Sequence, residues 1–382
     1  MLAAVRRHMP PLDALRGVAV LLVLAHNFNV VDAHGGLSSA MEAAMNIGWV
    51  GVQLFFVLSG FLITGILLDT ARAKNYYQAF FARRTLRIFP LYYVVLALGF
   101  FVLPLVTAVP PGHGTHQGWL WTYLTNWAEP FGRGEPAFPH FWSLAVEEQF
   151  YLIWPVIVHR MSARGVTRLG GVLLLLVPIV RVLCRSHWNA EAAYTFTICR
   201  VDALAVGAML AAVLRDPHWS AAFERSIDRL VTLVRWPRIA LLAAFAGLFV
   251  VTHGLPRASA ATQSFGYSGL ALLCAAWIAV EVHAWVKRCQ AGTGGNPVAA
   301  ALRSVGKYSY AMYVFHAPLH LFVGVRVVAR LSHGAAPSIP LALAYAVAAT
   351  AATYVLAVIS FRILEQPFLR LKDRFVAARS SP

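Results

Sequence analysis

Charge is what this sequence has least of. Only 13% of its 382 residues are Asp, Glu, Lys or Arg, and just 16 are acidic, against roughly a quarter charged in an average soluble domain. That shortage excludes a water-soluble globular enzyme, and with it a disordered chain. Cysteine is scarce as well. Cys184, Cys199, Cys274 and Cys289 form no C-x-x-C pair, which argues against a disulfide scaffold and against metal or redox use of thiols. No small-residue cleavage pattern follows the first apolar run. That run, from Leu12, is too long for a signal-peptide core and carries Arg16 and His26, so it reads as an uncleaved first helix. An internal repeat is absent too, which weighs against the inverted-repeat transporter folds.

What is abundant is apolar surface: 59% of residues are hydrophobic and the mean hydropathy is +0.64. It comes in blocks about 20 residues long, the span of a bilayer helix. The blocks are 12–31, 48–68, 88–109, 141–158, 169–183, 196–214, 239–253, 265–285, 305–328 and 339–361. The expected fold is therefore all-α: a polytopic protein with about ten transmembrane helices, forming one domain over 1–382 with a short tail from about 362. An aromatic stretch from Trp119 to Trp127 reads as interfacial or re-entrant. The formal net charge is +16. In a soluble protein that would suggest nucleic acid; here the placement of the charges offers a simpler account. With both termini in the cytoplasm, the inner loops and tails hold most of the 32 basic residues, including Arg6, Arg7, Arg235 and Arg379, while the outer loops hold only Arg133, Arg185, Arg257 and Arg330. That is the positive-inside pattern. The expected partner is a lipid bilayer, and no nucleic acid.

Several ionisable groups fall within the apolar blocks, where a charge costs a few kcal/mol or more and so faces a partner or a wet cavity. They are Arg16, His26, Glu147, Glu148, Arg181, Arg200, Asp202, Lys307, His316 and Arg326. Asp13 and Arg16 stand three apart and can pair. Arg16 and His26 are separated by about 15 Å of helix rise and cannot touch. His26 is suited to general-base work, or to a buried bond with backbone. Arg84 and Arg87 share a helix face before the third block, and forked guanidinium groups suit phosphate. Glu147 and Glu148 are adjacent and point about 100° apart, so one site for both is not expected. Arg200 and Asp202 should each pair with another helix. Tyr308, Ser309, Tyr310 and Tyr313 line up as a polar stripe before His316. His316 and His320 have metal-ligand spacing, but no third ligand is evident, so no metal is expected.

These residues resemble the acyltransferase-3 family of integral membrane O-acyltransferases. The matching pieces run in family order: Leu12-Asp13-Ala14-Leu15-Arg16-Gly17 with His26, the run from Gly51 to Leu62, Arg84-x-x-Arg87-Ile88-x-Pro90-x-Tyr92-Tyr93, Trp142-Ser143-Leu144-x-x-Glu147-x-Gln149-Phe150-Tyr151, Arg200-x-Asp202-x-Leu204-x-x-Gly207, Gly306-x-Tyr308-Ser309-Tyr310-x-x-Tyr313-x-x-His316 and Glu365-x-Pro367. One departure stands out. Nine residues separate Arg16 from His26 where the family pattern has ten, which leaves Asn27 as the alternative occupant of the histidine position.

The resemblance implies a multi-pass enzyme of the bacterial inner membrane. It would take an acyl group, most simply acetyl, from cytoplasmic acyl-CoA as a donor substrate and hold no resident cofactor. The acceptor would be a hydroxyl of an envelope polysaccharide or lipid-linked glycan; a small glycosylated metabolite is the alternative acceptor, and a secondary transporter the alternative class. Arg84, Arg87, Arg83 and Lys74 would hold the anionic nucleotide. His26, Glu147 and Arg16 would serve the chemistry, and Trp142, Ser143, Tyr310, His316, Arg200 and Asp202 the acceptor. A passage should then run from Arg84 and Arg87 towards His26. Larger relatives carry a C-terminal SGNH hydrolase-like domain, and this chain reads as the stand-alone form.

Overall fold

A backbone in hydrocarbon must satisfy its own N–H and C=O groups, which helices do within one segment. The computed structural model describes residues 9–32, 35–233, 237–252, 254–291 and 297–377; Arg6, Arg7, Arg235, Arg379 and His253, the end of the seventh block, lie outside them. Among the described residues there are helices and no strands. A helix falls on each of the ten blocks: α1 (Pro10–Asn27), α2 (Leu37–Thr70), α3 (Tyr76–Val106), α4 (Trp142–Arg160), α5 (Ala163–His187), α6 (Ala190–Val213), α7 (Pro237–Val251), α8 (Thr262–Cys289), α9 (Ser309–Leu331) and α10 (Ile339–Arg374). Seven of these, α2, α3, α5, α6, α8, α9 and α10, are long and apolar enough to cross a membrane. Polar side chains dilute α1 and α4, and α7 has 15 residues. The aromatic stretch forms two single-turn helices, Gly118–Trp121 and Thr125–Ala128.

Two of the boundaries that differ from the hydropathy reading relocate charged residues. Helix α3 starts at Tyr76 rather than near 88, so Arg83, Arg84 and Arg87 sit on the helix itself. Hydropathy registers their charge but not the cavity they face. Lys307 is not inside a span: it is exposed at the end of a separate helix, Pro297–Lys307, and the chain turns at Tyr308 before α9 begins. Its ammonium rests 5.1 Å from the ring centres of both Tyr308 and Phe361.

Glycines set the central crossings. A Cβ on Gly60 of α2 would strike the carbonyl oxygen of Leu204 on α6, and one on Gly207 of α6 would strike that of Val57 on α2. The contact is reciprocal: each backbone lies in the gap left by the other's missing side chain. Gly17 of α1 and Gly306 repeat the device against the backbones at Leu302 and Asp13, and Gly48 lies against the backbone of α1 at Leu22. Helices in lipid gain little from hydrophobic exclusion, so such close contact is what holds them together.

Buried charge is compensated within this frame. Arg181 of α5 is fully buried and donates through Nη1 to Asp202 Oδ2 at 2.9 Å and to the Cys199 carbonyl at 3.1 Å, and through Nη2 to Ser268 Oγ at 2.6 Å. Ser268 Oγ donates in turn to Asp202 Oδ2 at 2.6 Å. Arg200 donates to Gln53 Oε1 at 2.7 Å and lies 4.3 Å from the Tyr267 ring centre. The two groups thus bond other helices, as their spacing suggested, in an interhelical network that joins α2, α5, α6 and α8.

Two stability outcomes follow. Gly207→Ala should lower stability by about 1–3 kcal/mol, while Gly171→Ala, where a Cβ meets nothing within 4 Å, should be near neutral; thermal unfolding in detergent compares them. Asp202→Asn, which leaves Arg181 without its counter-charge, should cost about 3–5 kcal/mol on the same measurement.

Candidate active site

Successive helices run in opposite directions, so the start of α1, the end of α2, the start of α3 and the ends of α6 and α10 meet at one end of the bundle. They enclose a cavity of about 520 Å³. Its walls carry Arg16 from α1, Arg83, Arg84 and Arg87 from α3, Arg215 just beyond α6 and Lys372 from the end of α10, against two carboxylates, Asp13 and Asp69. Asp13 lies 3.7 Å from Arg16, the pair read from their spacing. Arg215 grips Asp69 with two bonds, Nε to Oδ1 at 3.0 Å and Nη2 to Oδ2 at 2.8 Å, which offsets the charge of both. The excess guanidinium charge is therefore on the α1 and α3 walls. Arg83 lines this mouth with its side chain exposed. Lys74 does not line it: it is exposed in the turn before α3, and Lys372 stands at the cavity instead.

Arg16, Arg84 and Arg87 also wall a second, smaller space of about 90 Å³, deeper between the helices. The two spaces thus share three guanidinium groups. The inner chamber adds Ser59 from α2, Ser143, Glu147, Glu148 and Tyr151 from α4, and Ser309, Tyr310 and Tyr313 from α9. Glu147 accepts from Ser59 Oγ at 2.8 Å and from Tyr151 Oη at 3.1 Å, so its two oxygens are held in place. The Arg84 guanidinium lies 5.0 Å from the Tyr151 ring centre. Tyr310 donates to the Ile88 carbonyl at 2.7 Å and ties α9 to α3 beside Arg87. Glu148 lines the same chamber. The expectation that adjacent carboxylates could not share a site is therefore corrected. The chamber curves around the edge of α4, and long side chains 100° apart reach it from both sides.

The chamber is walled on its far side by Ser143 and Tyr313, whose hydroxyls lie 2.5 Å apart. Both also lie within hydrogen-bond distance of the His140 carbonyl, at 3.2 and 3.0 Å, so their two protons are shared among three contacts. Beyond them sit two buried imidazoles, His140 and His316, with ring centres 4.5 Å apart. His316 Nδ1 lies 2.6 Å from the Tyr313 carbonyl, and its Nε2 has no partner. His26 lines neither space, so the passage expected from Arg84 and Arg87 towards His26 is not open in this structure: the chamber stops at the Ser143–Tyr313 contact. It stands in the last turn of α1, where its Nδ1 is buried without a partner. Helix α1 is regular up to Asn27, and the Asn27 amide donates back to the Val23 carbonyl at 2.9 Å. The open nitrogen is thus on His26.

The sequence-derived candidates divide accordingly. Arg16, Arg84, Arg87, Ser143, Glu147 and Tyr310 converge on one chamber. Trp142 does not line it: it packs against Phe56 and Tyr194, with ring centres 6.1 and 4.6 Å away. Arg200 and Asp202 lie behind those rings in the interhelical network. Ser59, Tyr151, Ser309 and Tyr313 belong to the chamber without having been singled out as site residues. Tyr151 was the most accessible of these to sequence reasoning, four residues from Glu147 and hence on its helix face. Among the described residues no three His, Cys, Asp or Glu side chains gather as a metal site would require.

The chain is similar to known proteins over most of its length. Residues 10–358 match the family profile Acyl_transf_3, described as an acyltransferase domain. The peptidoglycan O-acetyltransferase OatA of Listeria monocytogenes is 28% identical over 95% of this chain and 56% of its own length. The putative peptidoglycan O-acetyltransferase YrhL of Bacillus subtilis is 33% identical over 54% of this chain and 33% of its own. The O-acetyltransferase OatA of Staphylococcus aureus is 25% identical over 83% and 51%. The chain spans about half the length of the Listeria and Staphylococcus relatives. No solved structure matches it. With the profile matching residues 10–358, nearly the whole chain, and Arg16, Arg84, Arg87, Glu147 and Tyr310 of the motifs lining one chamber, the chain belongs to the acyltransferase-3 family.

Proposed function

We propose that this protein is a membrane O-acyltransferase that moves an acyl group, most simply acetyl, from cytoplasmic acyl-CoA to a hydroxyl of peptidoglycan or a related envelope glycan. The Listeria relative is a peptidoglycan O-acetyltransferase by name and the Bacillus relative a putative one, and the acceptor is inferred from these two. In this reading all ten helices span the inner membrane of a bacterium and both termini are cytoplasmic. The alternating helix directions and the positive-inside pattern support that orientation.

The observation that carries the reading is that Arg16, Arg84 and Arg87 wall both the basic mouth and the carboxylate chamber. A polyanionic head with a thin neutral arm fits this shape. Its phosphates meet forked guanidinium groups at the mouth, and its reactive end points inward past Arg16. His26 lies at the opposite end of α1, about 15 Å of helix rise above Arg16. The Ser143–Tyr313 pair must part for the thioester to approach it. His26 Nδ1 then takes the proton from the acceptor hydroxyl. The oxygen–carbon bond forms as the carbon–sulfur bond breaks, and the departing thiolate recovers the proton from the imidazolium. Glu147, fixed by Ser59 and Tyr151, supplies negative charge that attracts Arg84 and Arg16 across the chamber.

Membranes given acetyl-labelled acetyl-CoA should transfer label covalently to glycan; label accumulating free inside vesicles would overturn the reading in favour of transport. His26→Ala should lower transfer by about 10²-fold or more with the protein still folded, and unchanged activity would remove His26 from the chemistry. Arg84→Ala with Arg87→Ala should raise the KM for acetyl-CoA by roughly tenfold or more and flatten its dependence on salt. An unchanged KM would leave the pair as a topology anchor alone.

A further inference from the structure

At the end of the bundle opposite the arginine mouth, five aromatic side chains wall a cleft that the chemistry above does not use. The cleft has a volume of about 360 Å³ and is formed by Trp119, Trp127, Phe131, Trp188 and Phe196, with Arg133 at its side. These residues come from two separate stretches, the α3–α4 connection and the link from α5 into α6. They are held in a fixed arrangement. Trp127 packs on Phe196 with ring centres 4.5 Å apart, and Trp188 meets Phe196 edge to face at 5.5 Å. The Trp127 indole N–H donates to Gln149 Oε1 at 3.1 Å, on the same helix as Glu147. Asn189 Nδ2 donates to the Pro130 carbonyl at 2.8 Å and so joins the two stretches beside the cleft. Even so, Trp188 remains 47% and Phe131 54% exposed.

Tryptophans at a membrane interface are common as isolated anchors, each ring directed into the headgroup layer. Here the rings instead enclose a concave space within the size range of ligand pockets, mostly apolar with one cationic side chain. A pyranose ring has the matching chemistry. Its C–H face is apolar and lies flat on an aromatic ring, while its hydroxyl rim accepts hydrogen bonds from a guanidinium.

The position adds a constraint. His26 is within electrostatic reach of Arg257. Arg257 lies 3.8 Å from Glu191 and 4.8 Å from the Tyr194 ring centre. Both belong to the first helical segment of α6, Ala190–Thr195, which leads directly into Phe196 of the cleft. That segment has six residues, about 9 Å of rise. The cleft is therefore at the same end of the molecule as His26, with Arg257 and the Ala190–Thr195 helix between them. We propose that the aromatic cleft is a remote saccharide subsite, which binds a sugar of the acceptor glycan beyond the one that is acylated. This rests on the acyltransferase reading and extends it: the acceptor is an oligosaccharide or polymer, gripped at two places.

The test uses the full chain in nanodiscs with two probes, N-acetylglucosamine and its β-1,4-linked tetramer. Trp188→Ala and Phe131→Ala should each raise the KM for the tetramer roughly tenfold, leaving kcat and the KM for the monomer unchanged. The two variants come from different stretches, so misfolding of one leaves the other informative. An unchanged tetramer KM, or an equal rise for tetramer and monomer, would overturn the subsite. Tryptophan fluorescence titrated with tetramer, without any acyl donor, reads binding separately from transfer. A saturating change lost in both variants supports the subsite even if no glycan is ever acylated. Quenching by brominated lipid with no response to tetramer would instead make the cleft part of an interfacial belt and end the proposal.

Discussion

A guanidinium group cannot sit unpaired in hydrocarbon, and the arrangement of this molecule follows from how it accommodates those it carries. Three solutions occur. Arg181 is buried completely and neutralised by Asp202. Arg200 is buried among aromatic rings with Gln53 as its acceptor. Arg16, Arg84 and Arg87 are given space, the cavity and chamber that open between α1, α2, α3, α4 and α9. The first two solutions hold helices together and leave little capacity to bind anything else. Only the third leaves positive charge available, and it does so where a ligand can enter from one end of the bundle.

That space persists because the helices around it are tightly joined elsewhere. Gly60 against Gly207 and Gly17 against Gly306 bring backbones into direct contact. Four helices so clamped form a frame against which α3 and α4 can diverge and leave a gap. The chamber is also braced by its own polar groups. Ser59 and Tyr151 hold Glu147, and Tyr310 holds the backbone of α3. A cavity lined by groups already oriented needs little rearrangement when a ligand arrives.

The two ends of the bundle differ in chemistry as well as in shape. One end presents forked cations in a deep recess, suited to a phosphorylated donor. The other presents an imidazole with an open nitrogen and, some way off, a wall of aromatic rings. Between them lies a short barrier of hydroxyl and imidazole groups, Ser143, Tyr313, His140 and His316. In the proposed reaction, which joins reactants from two compartments, such a partition would keep water from the thioester.

Residue order alone was enough for the helical class, the positions of ten apolar blocks, the pairing of Asp13 with Arg16 and the shared face of Arg84 and Arg87. All of these depend on local periodicity and on the cost of charge in lipid, which act over a few residues. Tertiary structure decided what local rules cannot reach. It placed Asp202 in an ion pair rather than at the site, because its partner lies on α5. It set Lys372 rather than Lys74 at the cavity, because the ends of α10 and α2 return to the start of α3. It brought Glu147 and Glu148 to one chamber, because a cavity can wrap a helix edge that a helical wheel treats as two directions. And it set His26 beyond the Ser143–Tyr313 wall, because which side of a barrier a side chain occupies depends on how helices cross, and crossings are governed by contacts between residues far apart in the chain.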